Sequence, residues 1–163
     1  MMVLGAEIDL ESERGKRTMT LDKLYTGEGK KVNVLDADEV ISEIRVPNTP
    51  KGTGTAFIKM AIRGSIDYGL VDVAVALTRE SKNGRCMDAK VCVAAVGPGP
   101  IYSTQAAEAL RGRELNDEAF AAAGEAAVKE ARHISSIWTS VAYRRKMIKT
   151  LVGKAAREAW SKA

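Results

Sequence analysis

Phe57-Ile58-Lys59-Met60-Ala61-Ile62-Arg63-Gly64-Ser65-Ile66-Asp67-Tyr68-Gly69-Leu70-Val71-Asp72-Val73-Ala74-Val75-Ala76-Leu77 is the stretch around which the chain is organised. In its first part Ile58, Met60 and Ile62 alternate with Phe57, Lys59, Ala61 and Arg63, the period-two pattern of a half-buried strand. On such a strand Lys59 and Arg63 stand on one face, about 13 Å apart at ~3.3 Å rise per residue. After a break at Gly64-Ser65, the β-branched run Val71, Val73, Val75 with Leu77 predicts an inner strand. Two cations and an aromatic on one face suit an anionic or flat ligand. A solvated strand face is the plainer alternative.

A chain of 163 residues suits one domain with a substantial core. No apolar run approaches the ~20 residues that cross a bilayer, so no membrane span is expected. Glu7, Asp9 and Glu11 interrupt the apolar start, and no signal peptide is expected. Cys86 and Cys92 are the only cysteines and His133 the only histidine, which argues against a Zn or Fe–S site built from these types within the chain. The cysteines lack CxxC spacing, and unpaired thiols in a cytoplasmic chain are the expectation. Charge is uneven: residues 132–163 carry 8 Lys/Arg against 1 Asp/Glu, whereas residues 51–131 carry 10 of each. Such a tail suits an acidic partner or nucleic acid, but it lacks the interleaved aromatics of a stacking platform.

Working outward, residues 3 to 10 alternate Val3, Gly5, Glu7, Asp9 with Leu4, Ala6, Ile8, Leu10 and predict a strand with one apolar face. A turn over residues 11–16 and a return over Arg17–Leu21 make a hairpin. Residues 21–31 read as loop, and residues 36–44 as a short turn leading into a strand that ends at Pro47. Residues 48–54 form a flexible connection. Asn83-Gly84 predicts a hairpin between Val73–Thr78 and Ala89–Val96, the returning strand being covered on both faces. Gly97-Pro98-Gly99-Pro100 ends sheet formation. The period then becomes helical. Ser103 or Thr104 caps a short helix stopped at Gly112, and Asn116 caps a second along Phe120, Ala123, Ala127 and Ala131. A break at residues 135–140 contains Trp138. The last helix carries Val141, Met147/Ile148, Leu151/Val152, Ala155/Ala156 and Ala159/Trp160, with Arg144, Arg145, Lys149 and Arg157 mostly off that stripe. Strands first and three helices last give an α+β fold, an antiparallel sheet covered on one face by a helical layer.

The residues themselves assign no reaction. Gly52-Thr53-Gly54 and Gly97-Pro98-Gly99 do not complete a nucleotide fingerprint, and proline removes amide donors. His133 has no nucleophile motif around it and reads as a surface or capping residue. Arg63 and Asp67 suit a local ion pair. Tyr143-Arg144-Arg145 reads as a solvated helix start, although cations there oppose the helix dipole and so favour an acidic partner.

The ordered set of segments resembles the second half of the FAD-binding medium subunit of molybdenum hydroxylases, the family of carbon monoxide dehydrogenase and xanthine dehydrogenase. The resemblance rests on Phe57, Lys59, Arg63, Asp67 and Val71–Leu77, with Gly5-Ala6-Glu7, Arg17-Thr18 and Asp38–Pro47 upstream. Downstream it rests on Ala94–Pro100, Ala107–Gly112 and Ala142–Arg145. It covers essentially the whole chain. It implies residues 1–50 as the end of a flavin-binding domain and residues 51–163 as a CO dehydrogenase flavoprotein C-terminal-like domain. It further implies FAD as cofactor, with Lys59 at the flavin, Ile41 against its ring and Arg63 as a nearby basic position. Electrons would pass from [2Fe–2S] clusters through FAD to an acceptor. The molybdopterin-binding large subunit and the [2Fe–2S] small subunit are the implied partners, with no nucleic acid. The family's glycine-rich pyrophosphate loops lie in a first half that has no counterpart here. The resemblance thus implies either a truncated or split subunit or a domain that works beside a further chain carrying that half, and this chain is expected to be inactive alone. Departures from the family around residues 135–140 put partner contacts there in question. The competing reading is a non-enzymatic interaction module that kept the fold and lost flavin binding.

Overall fold

The computed structural model describes residues 1–81, 84–132 and 138–163. Its strands form two antiparallel sheets rather than one. The first, ordered β2-β1-β3, contains β1 (Glu7–Ser12), β2 (Gly15–Thr20) and β3 (Val40–Arg45). The second, ordered β4-β5-β6-β7, contains β4 (Thr53–Met60), β5 (Val71–Arg79), β6 (Cys86–Ala94) and β7 (Ile101–Tyr102). Helices α1 (Thr104–Glu108), α2 (Asp117–Glu130) and α3 (Val141–Lys162) cover one face of the second sheet. The α+β layout read from the sequence is borne out.

The valine alternation of β5 positions the core. Val71, Val73, Val75 and Leu77 are fully buried against Ile148, Val152, Ala155, Ala156 and Ala159 of α3. Small residues let α3 lie close. A Cβ on Gly54 of β4 would come 1.9 Å from the Ala159 carbonyl oxygen, and one on Gly124 of α2 would come 2.4 Å from that of Lys149. Gly54 therefore serves packing and not a phosphate loop. The returning strand β6 is covered on both faces, as its pattern predicts: Val91 and Val93 face the helices, and Cys92 packs with Met2 and Val3.

Several expectations are corrected. The first strand begins at Glu7, because Met2–Leu4 forms a 3-10 turn whose Met2 and Val3 cover Ala76 and Cys92 on the outer face of the second sheet. Residues 21–24 form another 3-10 turn, Leu21–Leu24. The sheet resumes after the Gly-Pro repeat, where β7 pairs Tyr102 with Cys92 and Ile101 with Val93. Ser103 stands at the N-cap of α1 without a side-chain cap; its hydroxyl and the Gln105 amide are instead held by the Glu130 carboxylate from α2. By contrast, Asn116 caps α2 as expected, accepting from the Ala119 amide at 2.9 Å. The Gly84 amide bonds the Ser81 carbonyl at 2.8 Å between β5 and β6; Asn83 and His133 lie outside the described residues.

The first sheet has two unlike faces. Asp9, only 2% exposed, collects Arg45, Lys16 and Thr18 on one of them. Ile8 and Leu10 are fully buried on the other, beneath Leu24 and Leu35. The hairpin turn Glu13-Arg14 is fixed from β3's approach: Arg14 binds Asp36 and Asp38, and Arg17 binds Glu39.

Candidate functional site

Strand β4 stops at Met60, and this decides where the two candidate cations go. The chain leaves the sheet for ten residues and returns when the Leu70 amide bonds the Met60 carbonyl at 2.6 Å. Inside that loop the Asp67 carboxylate accepts from the Arg63 amide and from the Tyr68 amide, each at 2.9 Å. These backbone donors, the Arg63 one foremost, together with the Arg63 charge, hold the Asp67 carboxyl below its ordinary pKa.

Lys59 is on the strand and Arg63 is not. The expected 13 Å pair on one strand face therefore does not form. The Lys59 ammonium instead donates to the Asp67 carbonyl oxygen at 2.6 Å. The Arg63 guanidinium donates to the Ile66 carbonyl at 2.7 Å and lies 3.8 Å from the Asp67 carboxylate, the local pair anticipated as its alternative. The loop thus brings Lys59, Arg63 and Asp67 together. Phe57, two residues before Lys59 on the same strand face, is 64% exposed. Ile41 lies elsewhere, on β3 of the other sheet, and is partly exposed.

Beside the loop is a cleft of 640 Å³ whose lining includes Ile62, Arg63, Tyr68, Leu70, Trp138 and Arg144. Arg144 was expected on a solvated helix start, yet it is buried. Its guanidinium donates to the Leu70 carbonyl at 2.7 Å and to the Ala95 carbonyl, tying the start of α3 to the ends of β5 and β6. Burial lowers its pKa from the usual arginine value. The only sequence signal was its misfit with the helix dipole; the two acceptors are 74 and 49 residues away.

Asp72 is the other residue that spacing did not single out. It is the register partner of Lys59 across β4 and β5. Its carboxyl is packed against Gly69, Oδ1 has no hydrogen-bond partner, and burial raises its pKa against the opposing pull of Lys59. Neither cysteine offers a reactive thiolate: both are buried and free, and desolvation pushes each thiol up to about 11. Among the described residues no group of three or more metal-ligating side chains occurs, and no helix is long and apolar enough to cross a membrane.

Comparison with known proteins covers both sheets. The nicotine 6-hydroxylase medium subunit of Paenarthrobacter nicotinovorans is 34% identical over 160 residues, which are 98% of this chain and 54% of that subunit. The nicotinate dehydrogenase FAD-subunit of Eubacterium barkeri is 33% identical over 75% of this chain and 41% of its own length. A solved carbon monoxide dehydrogenase from Hydrogenophaga pseudoflava, lacking the Mo-pyranopterin moiety, superposes with a TM-score of 0.91 at 27% identity, over 99% of this chain and 55% of that one. The chain thus spans about half the length of the relatives it matches. The family model for the CO dehydrogenase flavoprotein C-terminal domain matches residues 56–159, and the chain belongs to that family.

Proposed function

We propose that this chain is the carboxy-terminal part of the FAD-binding electron-transfer subunit of a molybdenum hydroxylase. The observation that carries the reading is the match to the nicotine 6-hydroxylase medium subunit over 98% of this chain, with the nicotinate dehydrogenase FAD-subunit matching over 75% of it. In this reading residues 1–50 close a flavin-binding domain and residues 51–163 form the C-terminal domain. The subunit works in the cytoplasm beside a molybdopterin-binding large subunit and a [2Fe–2S] small subunit, and the substrate is selected on the large subunit.

The described residues fit one end of FAD. Lys59 is an accessible ammonium oriented by the Asp67 carbonyl, with exposed Phe57 next to it on the same face. A cation at the polar edge of an isoalloxazine stabilises negative charge as electrons arrive, a standard way for a protein to tune a cofactor. Ile41 offers an apolar contact for the ring plane, and Arg63 a more distant positive charge. FAD, when bound, accepts electrons from one centre and passes them to another; this chain's part is to place charge and apolar surface beside it. The pyrophosphate end has no cradle among the described residues. Gly99 lies against Tyr25 and Gly97 against Arg132, and the two prolines of the repeat lack amide donors. A second reading is an interaction module that keeps the fold without flavin.

Co-expression separates the two. The chain would be produced with the part of the nicotine 6-hydroxylase medium subunit that lies outside the matched region, and flavin absorbance of the purified complex measured. A yellow complex, bleached by reductant, is expected. A colourless complex that stays colourless after reconstitution with FAD supports the module instead.

A further inference from the structure

Asp9 and Asp67 show how this chain holds a carboxylate. Arg45, Lys16 and Thr18 meet the first, and the Arg63 and Tyr68 amides meet the second. Asp72 is held differently. Val71 and Val73 beside it are fully buried under the helices, so alternation turns the half-buried Asp72 to the outer face of the second sheet. Its register partners there are Ala94 of β6 and Lys59 of β4. The loop closes over the carboxyl: a Cβ on Gly69 would come 2.2 Å from Oδ1 and 2.4 Å from Oδ2. Among the described residues, Oδ1 is shut from solvent with no hydrogen-bond partner.

Lys59 therefore stands between two acceptors. It is bonded to the Asp67 carbonyl at 2.6 Å. Residues paired directly across antiparallel strands have Cβ atoms about 4.5–5.5 Å apart. A four-carbon stem spans that gap, so the same ammonium can turn to the Asp72 carboxylate with no change of backbone. The carbonyl leaves the lysine its charge, whereas a carboxylate offsets it. The charged groups of the elements packed around Asp72 are Lys59 from β4, Arg63 and Asp67 from the loop, and Arg144 from α3. Strand β6 brings Ala94, with Lys90 four residues along it. Arg63 is engaged by Ile66 and Asp67, and Arg144 by the Leu70 and Ala95 carbonyls. Lys59 is the charge that pulls against burial at Asp72.

We propose that Asp72 is a positioning residue for Lys59: protonated, it leaves the ammonium on the Asp67 carbonyl with its charge offered to the flavin, and ionised, it draws the ammonium across the strand pair and offsets that charge. This rests on the function proposed above and adds to it a proton that travels with the electrons. An electron pair delivered by the iron–sulfur donor of the proposed assembly favours the arrangement in which the lysine keeps its charge. One proton from solvent accordingly binds the Asp72 carboxylate. Within this chain an O–H bond forms at Asp72, and the Lys59 hydrogen bond passes from Asp72 to the Asp67 carbonyl.

The test has two arms. In the chain alone, the Asp72 carboxyl is titrated by carbon NMR upward from the ordinary carboxylate value of about 3.9 to roughly pH 9. Hydrogen exchange at residues 61–70 is followed over the same range, corrected for its intrinsic pH dependence. As Asp72 ionises, exchange in that loop is expected to quicken roughly 3–10-fold, the worth of one hydrogen bond. Asp72→Asn should show no such rise, and Lys59→Met should move the Asp72 midpoint upward. The second arm uses the complex with the unmatched part of the nicotine 6-hydroxylase medium subunit, whose flavin potential is measured against pH. Parent and Asp72→Asn are expected to coincide in acid. Above the Asp72 midpoint the parent should be harder to reduce by about tenfold in the equilibrium, ~30 mV for a two-electron couple. That difference should vanish in the Lys59→Met background. An Asp72 that does not titrate in this range, loop exchange indifferent to its ionisation, equal pH profiles in a flavin-loaded complex, or a difference that survives Lys59→Met overturns the proposal. Switching in the chain alone, beside a complex that holds no flavin, upholds the positioning of Lys59 and contradicts the flavin reading; a flavin-loaded complex without switching does the reverse.

Discussion

The Lys59 ammonium is bound to the carbonyl oxygen of Asp67 at 2.6 Å, although its register partner on β5 is Asp72. A backbone acceptor orients the lysine without neutralising it. Asp72 meanwhile keeps Oδ1 without a hydrogen-bond partner and has a pKa raised by burial. A carboxyl whose folded pKa exceeds its unfolded value holds its proton longer in the native state. Stability from this group thus falls as pH rises from the unfolded carboxylate value, about 3.9, through the raised folded value. Asp72→Asn is expected to be at least as stable as the parent at pH 7 and to remove that decline. Urea midpoints of both proteins from pH 4 to 7 check it.

Asp9 and Glu39 act in the opposite sense. Hydrogen bonds from Arg45, Thr18 and Lys16 hold Asp9 far below the usual carboxylate range, and Arg17 lowers Glu39 to about 2. Their stabilisation is complete above the unfolded values of roughly 4 and is lost as pH falls toward the folded ones. The first sheet should therefore come apart in acid before the second. Arg45→Gln is expected to raise the acid midpoint of residues 7–45, read by residue-resolved exchange, and to leave β4–β6 unchanged.

Arg144 joins α3 to two strand ends through the Leu70 and Ala95 carbonyls. Replacing it with Met keeps much of the apolar bulk and removes both charge-assisted bonds, each of a kind that contributes about 1.5–3 kcal/mol. At roughly 2–4 °C per kcal/mol for a chain of this size, the two bonds together make Arg144→Met expected to melt about 6–24 °C lower. Exchange at residues 61–70 should accelerate, because the loop loses its tether at Leu70. Differential scanning calorimetry and exchange check the two parts separately.

Gly54→Ala tests the close approach of β4 and α3. Its new methyl would meet the Ala159 carbonyl at 1.9 Å, so helix and strand must separate. Overpacking of this sort costs about 1–3 kcal/mol. Gly29→Ala, where nothing lies within 4 Å, is the control and should melt like the parent. Equal melting of the two variants would contradict the packing described for α3.

The parts of this fold written in local patterns could be read before the structure. The valine alternation of β5, the Asn116 cap and the apolar stripe of α3 each lie within one element, and the β1–β2 hairpin within two that are adjacent in sequence. What was not legible depends on which groups meet in space, whether four residues apart or far along the chain. Nothing near Met60 announces that Asp67 will bind the Arg63 amide and pull Arg63 off the strand. Arg144 reads as solvated until Leu70 and Ala95, far away in sequence, supply its acceptors. Ile41 and Ile44 fail strict alternation because of the bulge at Ser42, and so the apolar face of β3 is hidden from a period-two reading. The resemblance implies Lys59 and Ile41 as flavin positions; the structure adds how Lys59 is oriented and that Ile41 belongs to the other sheet.

The flavin midpoint potential of the assembled subunit tests the central claim most directly. In the complex with the complementary half of the nicotine 6-hydroxylase medium subunit, parent and Lys59→Met proteins would be titrated with reductant and followed by flavin absorbance. Removing a cation from the ring's polar edge disfavours reduction. Lys59→Met is expected to shift the potential to more negative values by on the order of 20–40 mV, the size of about 1–2 kcal/mol in a two-electron couple. Arg63→Met, more distant, should move it less. A potential unchanged by Lys59→Met in a flavin-loaded complex would contradict the placement of Lys59 at the flavin.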